Sequence, residues 1–312
     1  MPSVLITGGT GLVGTAVKTL LEAKGYEVVL LSRSKSSIKG QAHWDINAGT
    51  IDSTAIAEAD YIIHLAGAGV ADKRWSESRK QEIVDSRTKS SALLVKALQE
   101  TPNKVKAVIS ASAIGWYGPD QMNTHNNEGT AKGFVETDPS YPDFLGTTCA
   151  AWEASIAPVT ANTNGLQKRL VCLRTGIVLS KNGGALKEFL KPLAVRMAAV
   201  LGNGKQMISW IDGRDLAKMF VYAIENENMS GSYNAVAPAP VSNKTLTQTL
   251  ANVLYGKFYI TTYVPSFILK IMLGEMSIEV LKSTTVSAQK IQDAGFVFDY
   301  PEITKSLLTL DL

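Results

Sequence analysis

Apolar and polar positions follow two different periods along the first part of the chain. Short β-branched runs stand at Val4–Ile6, Glu27–Leu31, Tyr61–Leu65 and Ala107–Ser110. Between them, apolar residues recur at helical spacing over Val13–Ala23, Ser76–Lys89 and Ser91–Glu100. Strands alternating with helices of this length predict βαβ units and a parallel sheet. A later apolar run, Arg169–Arg174, follows a helical pattern over Leu145–Ile156, so the sheet is expected to continue past the middle of the chain. Proline and glycine become denser after residue 115. Gly118-Pro119-Asp120, Asn126-Asn127 and Asp138-Pro139 read as a long loop from Gly115 to Pro142 near the carboxyl edge of the sheet, a length at which loops are usually functional. From about Asn234 the pattern changes again, to Ala237-Pro238-Ala239-Pro240, a helix over Thr245–Leu254, Val264-Pro265 and a further helix. The expected fold is α/β, a doubly wound parallel sheet over residues 1–235 with a smaller, mostly helical C-terminal lobe over residues 236–312 on the substrate side.

Composition narrows the function classes. A length of 312 residues suits two domains, or one α/β domain with an appendage. The chain has 31 Lys+Arg against 28 Asp+Glu, a net charge of +3, and no basic cluster, which argues against a nucleic-acid footprint. Cys149 and Cys172 form no disulfide framework, and His43, His64 and His125 are too scattered for a metal site. The N-terminus enters a strand at once, and no apolar stretch reaches about 18 residues. The expectation is a cytoplasmic protein with no membrane segment, acting on a small molecule; a homodimer is compatible with it.

The strongest motif is Thr7-Gly8-Gly9-Thr10-Gly11-Leu12-Val13-Gly14, which ends a strand and opens a helix. Gly8, Gly11 and Gly14 satisfy G-x-x-G-x-x-G, and Gly9, Gly11 and Gly14 satisfy G-x-G-x-x-G. Glycines there allow a tight turn, close approach of backbone to a pyrophosphate and close helix–strand packing. The helix start, with Thr10, Leu12 and Val13, offers free N–H groups and a partial positive charge to an anion. This is a Rossmann-type dinucleotide site. The second strand ends at Leu31-Ser32-Arg33-Ser34-Lys35, where an NAD-preferring site usually carries an acid for the ribose hydroxyls. Ser32 and Arg33 suit a 2′-phosphate instead, so NADP(H) is favoured over NAD(H); the alternative for Arg33 is a solvated surface charge. His64-Leu65-Ala66-Gly67-Ala68 places small residues where the cofactor can lie on the backbone, with His64 read as a core histidine.

The glycine turn, His64–Ala68, Ser110-Ala111-Ser112-Ala113 with Tyr117-Gly118, and Arg174-Thr175-Gly176 resemble the extended short-chain dehydrogenase/reductase superfamily. Phe144-Leu145 with Trp152-Glu153, Leu173–Ser180, Ser209-Trp210-Ile211 with Asp215, Asn234–Pro240 and Gly295-Phe296 extend the resemblance to its atypical "epimerase family" branch (NAD-dependent epimerase/dehydratase-like), with a C-terminal domain of unclear role. Asp212 stands where that branch usually has histidine. The superfamily's chemistry uses Ser with Tyr-x-x-x-Lys, yet none of the ten tyrosines has Lys four residues on. Aligned on Glu153, Leu145 takes the Tyr position and Cys149 the Lys position. Ser112 alone remains.

Several residues stand as replacements, each with a structural alternative. Ser112 can orient a substrate carbonyl or cap a loop. Cys149 and Glu153, four apart on one helix, share a face; Glu153 could act as acid or base if burial raised it, or the two could be core residue and hydrogen-bond partner. Tyr117 and Tyr141 carry phenols beside the loop. Lys73-Arg74-Trp75 reads as a lid or an exposed basic turn. Arg174 is placed by the nicotinamide, with a substrate anion or a loop carboxylate as other partners, and Asp215 as site residue or helix cap. The resemblance implies an NADP(H)-binding oxidoreductase or epimerase-like enzyme on a small polar carbonyl or nucleotide-sugar-like substrate. Loss of the Tyr–Lys pair equally fits a non-catalytic NADP(H) sensor or regulatory protein.

Overall fold

A computed structural model describes residues 1–34, 40–120, 133–163 and 166–312; Lys35, His125 and Asn126-Asn127 lie outside them. Eight strands form the main sheet among the described residues: β1 (Ser3–Thr7), β2 (Glu27–Ser32), β3 (Gln41–Asp45), β4 (Thr50–Ile51), β5 (Tyr61–His64), β6 (Ala107–Ala113), β7 (Arg169–Thr175) and β8 (Gly231–Ala235). Their order is β8-β7-β6-β5-β1-β2-β3-β4, parallel except for the β3–β4 pair. The chain winds outward from β1 through β2 and β3, then crosses back to β5 and winds the other way. The order reverses between β1 and β5, which opens the crevice where doubly wound sheets bind ligands.

Burial on both faces explains why these strands read as unbroken apolar runs. All five residues of β1 are buried. One face packs Val4, Ile6, Ile109 and Leu173 on α1 (Leu12–Ala23) and on Leu216 and Phe220 of a helix at Gly213–Glu225. The other packs Leu5, Ile62, Val108 and Leu170 on Leu94 and Leu98 of α2 (Glu77–Glu100) and on Ile156 of α3 (Phe144–Ile156). We number Gly213–Glu225 as α4.

Two expectations from the periodicity change. The helices read at Ser76–Lys89 and Ser91–Glu100 are one helix, α2. Ser90 does not break it, because its hydroxyl donates back to the carbonyls of Ser86 and Arg87 at 2.7 and 3.0 Å. The second compact unit takes segments from both sides of position 236. Met197–Leu201 pairs in parallel with Ile260–Val264, and Leu186, Leu193 and Trp210 share a core with Leu246, Leu250 and Leu307. The resulting lobe mixes helices with short strands. It is strapped to the sheet's carboxyl side: Asp120 accepts from Thr285 N–H and its hydroxyl at 2.7 Å each, and Lys80 of α2 pairs with Glu275 at 2.5 Å.

A polar chain crosses the apolar core at the crevice. The Thr7 hydroxyl oxygen accepts from the N–H groups of Leu65 and Ala66 at 3.1 Å each, so its own proton goes to His64 Nδ1 at 2.7 Å. That assigns the other ring proton to Nε2, which donates to Ser91 Oγ at 3.1 Å. His64 is thus a neutral, fully buried strut between β1, β5 and α2, and burial drives its pKa from 6.5 down to about 3. Because the folded value is depressed, the unfolded chain takes up a proton that the folded chain refuses as pH falls from 6.5 towards about 3. Stability attributable to His64 is intact above that window and falls within it by about 1.4 kcal/mol per pH unit. Denaturant titrations from pH 7 to 4 are expected to show a shallower loss in His64→Gln than in the native chain, and equal slopes would remove His64 from the acid sensitivity.

Candidate functional site

The β1–α1 turn lies at the reversal point. Gly8 has φ of +67°, and a Cβ there would fall 2.8 Å from the Leu65 carbonyl carbon; at Gly14 it would fall 2.4 Å from the Gly8 oxygen. Neither position admits a side chain without moving backbone. Gly11 begins α1 without any side-chain capping bond, so the first-turn N–H groups, including those of Leu12 and Val13, stay available to an anion. Thr10 and Gly11 are exposed. Leu65 and Ala66 flank the turn and Gly67 is exposed beside them. Ser32 ends β2, where its hydroxyl accepts from Ser34 N–H at 3.2 Å, and Arg33 beside it is exposed. The residues read as a dinucleotide site therefore share one edge, and the glycine cradle fits such a group.

The groups considered for proton chemistry lie further along that edge. Register sets Ser112 of β6 beside Arg174 of β7, and Arg174 beside Asn234 of β8, so their side chains form a row on one face. Across it stands Glu153 of α3. Ser112 Oγ donates to Glu153 Oε1 at 2.6 Å, and Arg174 grips the same carboxylate with Nε at 2.8 Å and Nη2 at 3.0 Å. Ser232 donates to Oε2 at 3.0 Å. The other Arg174 nitrogen, Nη1, donates to Tyr117 Oη at 3.0 Å and the Glu136 carbonyl at 3.1 Å. Tyr117 in turn donates to Asn234 Oδ1 at 2.7 Å. Burial would lower the pKa of Arg174, but the hydrogen bonds and charge of Glu153 outweigh it and raise the value.

This network fixes what each group can do. Arg174, expected by the nicotinamide, is 3% exposed and spends its guanidinium on a helix carboxylate, not a loop one. Tyr117 is fully buried; desolvation pushes its phenol up to about 12 against the pull of Arg174, and it holds its proton. Cys149 is buried, and desolvation pushes its thiol up to about 12 as well. Leu145 and Cys149 pack beside the end of β6: a Cβ on Gly115, just past that strand, would lie 3.1 Å from Leu145 Cβ and 3.6 Å from Cys149 Sγ.

Other expectations resolve by contacts. Asp212 is the N-cap of α4, accepting from Arg214 N–H at 2.8 Å and ion-paired to its guanidinium. Asp215 accepts from the N–H groups of Asp299 and Tyr300 at 2.9 Å each, and burial raises its pKa. Trp75 donates to the Val70 carbonyl at 2.9 Å and meets Phe144 edge-on at 4.9 Å, so the Lys73–Trp75 turn rests on α3. Ser232 and Glu136 were not singled out from the sequence; both sit in polar stretches whose partners lie tens of residues away. Among the described residues no cluster of His, Cys, Asp and Glu could hold a metal ion, and no helix is long and apolar enough to cross a membrane.

Comparison with known proteins agrees with this geometry. Residues 4–236 match the model of the NAD dependent epimerase/dehydratase family, and residues 264–310 match a domain of unknown function, DUF1731. The mouse epimerase family protein SDR39U1 is 31% identical over 97% of this chain and 98% of its own length. Epimerase family protein YfhF of Bacillus subtilis is 31% identical over 99% and 97%. The crystal structure of human SDR39U1 with NADPH superposes with a TM-score of 0.85 at 29% identity, covering 99% of this chain and 98% of that one. A UDP-N-acetylglucosamine 4-epimerase from Bacillus cereus, at 18% identity and a TM-score of 0.76, shares the fold. With its doubly wound sheet and glycine turn, the chain belongs to the NAD-dependent epimerase/dehydratase family, in the atypical extended short-chain dehydrogenase/reductase branch that carries the C-terminal domain.

Proposed function

We propose that the chain binds NADP(H) along the carboxyl edge and acts as an oxidoreductase or epimerase-like enzyme on a small polar carbonyl or nucleotide-sugar-like substrate. The observation that carries the reading is the glycine-only contact of Gly8 with the Leu65 backbone at the β1/β5 crevice, beside the uncapped start of α1. Those first-turn N–H groups would hold the pyrophosphate, with Gly8, Gly11 and Gly14 admitting it and Leu65, Ala66 and Gly67 forming the wall. Exposed Arg33 with Ser32 supports the choice of NADP(H), since a guanidinium grips a 2′-phosphate that an acid would repel. Similarity to the NADPH-bound human SDR39U1 structure supports it further. The bound nicotinamide supplies the hydride chemistry; the protein positions it and manages protons.

A second reading rests on the 2.6 Å bond from Ser112 to Glu153. With Ser112 committed there and Leu145 and Cys149 at the positions that align with Tyr and Lys, the sequence lacks the superfamily's proton relay, as a non-catalytic NADP(H) sensor would allow. Following the absorbance of protein-bound NADPH against a panel of aldehydes, ketones and nucleotide sugars separates the two. Substrate-dependent oxidation beyond a protein-free control supports the enzyme, and a cofactor that binds without turnover across the panel favours the sensor.

Gly11 has φ of −75° and ψ of 175°, open to any residue, although a Cβ there would lie 3.3 Å from the Gly8 carbonyl oxygen; Gly11→Val is expected to lose NADPH binding in a fluorescence titration while its circular dichroism stays native, and retained affinity would remove the phosphate-turn argument. In Arg33→Asp, NADPH affinity should fall roughly tenfold or more, as loss of a charge-assisted bond costs about 1.5–3 kcal/mol, with preference moving to NADH. Unchanged preference would place the 2′-phosphate elsewhere. Glu153→Gln leaves buried Arg174 without its counter-charge and is expected to lose ~3 kcal/mol of stability in denaturant unfolding. Ser112→Ala should lose about half as much and, if turnover is found, reduce it more than NADPH affinity; full activity would exclude Ser112 from the chemistry.

A further inference from the structure

The strand Ile260–Val264 of the second lobe has a neighbour on one edge alone. Its parallel partner Met197–Leu201 engages every second residue: Ile260 N–H donates to the Arg196 carbonyl at 3.0 Å, and the Val264 carbonyl accepts from Gly202 N–H at 2.9 Å. In such a ladder the alternate residues face the other way, so the N–H and C=O groups of Thr261 and Tyr263 lie on the far edge. Among the described residues no strand pairs there. Exposed edges are normally blunted by charge or by proline, and Ile-Thr-Thr-Tyr-Val carries neither.

The side chains around this edge are uncovered as well. Phe258, Ile260, Tyr263, Phe267, Ile271 and Met272 are each between 52% and 77% exposed. The last three lie on the helix Ser266–Leu273, of which Leu269 alone is buried; Phe267 and Ile271, four apart, share its outer face. At these exposures the six residues present about 700 Å² of apolar surface, above the ~300–600 Å² of the largest patch on an ordinary monomer and close to the ~800 Å² that each partner gives to a stable interface.

We propose that this face is a symmetric interface with a second copy of this chain, formed by antiparallel pairing of Ile260–Val264 with itself about Thr262. That register sets Thr261 opposite the partner's Tyr263, and the free N–H and C=O groups of the two residues then bond reciprocally. Ile260 meets the partner's Val264, and Thr262 meets the partner's Thr262 in a non-hydrogen-bonded pair, where facing side chains come closest. One continuous sheet results, and it carries each Ser266–Leu273 helix toward the partner's Phe258. A lipid surface would cover the apolar side chains but leave the backbone groups unpaired; a second strand satisfies both. The proposal is independent of the dinucleotide site.

Sedimentation equilibrium of the full chain at micromolar concentration is expected to give twice the chain mass. Thr262→Lys and Thr262→Glu each set like charges face to face on the two-fold axis, and each is expected to raise the dimer dissociation constant about a hundredfold or more while circular dichroism stays native. An equimolar mixture of the two variants brings opposite charges together and is expected to restore the dimer, which neither unfolding nor an interface elsewhere would produce. A native chain that is monomeric overturns the proposal, and if that monomer sediments with phosphatidylcholine–phosphatidylserine vesicles the face belongs to a membrane. A dimer that survives both variants, or one lost in both and not recovered in the mixture, overturns the pairing about Thr262.

Discussion

The pairing of Arg174 with Glu153 sets what the carboxyl edge can do. Both charges are withdrawn from water, at 3% and 13% side-chain exposure, and such a pair is tolerable only when nearly every donor and lone pair is engaged. Ser112 and Ser232 complete the carboxylate, and Tyr117 and the Glu136 carbonyl complete the guanidinium. The cluster thus ties β6, β7 and β8 to α3 at one point. Holding α3 there fixes Leu145 and Cys149 beside Gly115. The same cluster takes up Ser112, the one residue of the superfamily's Ser-Tyr-Lys pattern that the sequence retains.

What was legible in the sequence follows from the range of the forces involved. Strands buried on both faces must be apolar throughout, so β1, β5, β6 and β7 were readable to within a few residues. The glycine turn was readable because each glycine answers a local steric demand. Gln41–Asp45, by contrast, was passed over: its run Gln-Ala-His-Trp-Asp carries little apolar signal, and it is a strand because it pairs between β2 and β4. Met197–Leu201 was passed over for another reason: its run Met-Ala-Ala-Val-Leu is apolar throughout and too short to tell strand from helix, and its partner is some sixty residues further on. Ser90 and Ser91 looked like a helix boundary because serine competes for backbone groups; here those hydroxyls bond back into the helix or to His64.

Charged residues were the hardest to place, and the reason is electrostatic. Sequence gives the sign of a charge but not its counter-ion, and the counter-ion decides the function. Arg174 ends a strand at the ligand-binding edge, which made it a cofactor candidate. Strand alternation turns it toward α3, where Glu153 neutralises it. A neutralised guanidinium contributes little potential to an approaching phosphate, whereas one without an acid contributes its full charge.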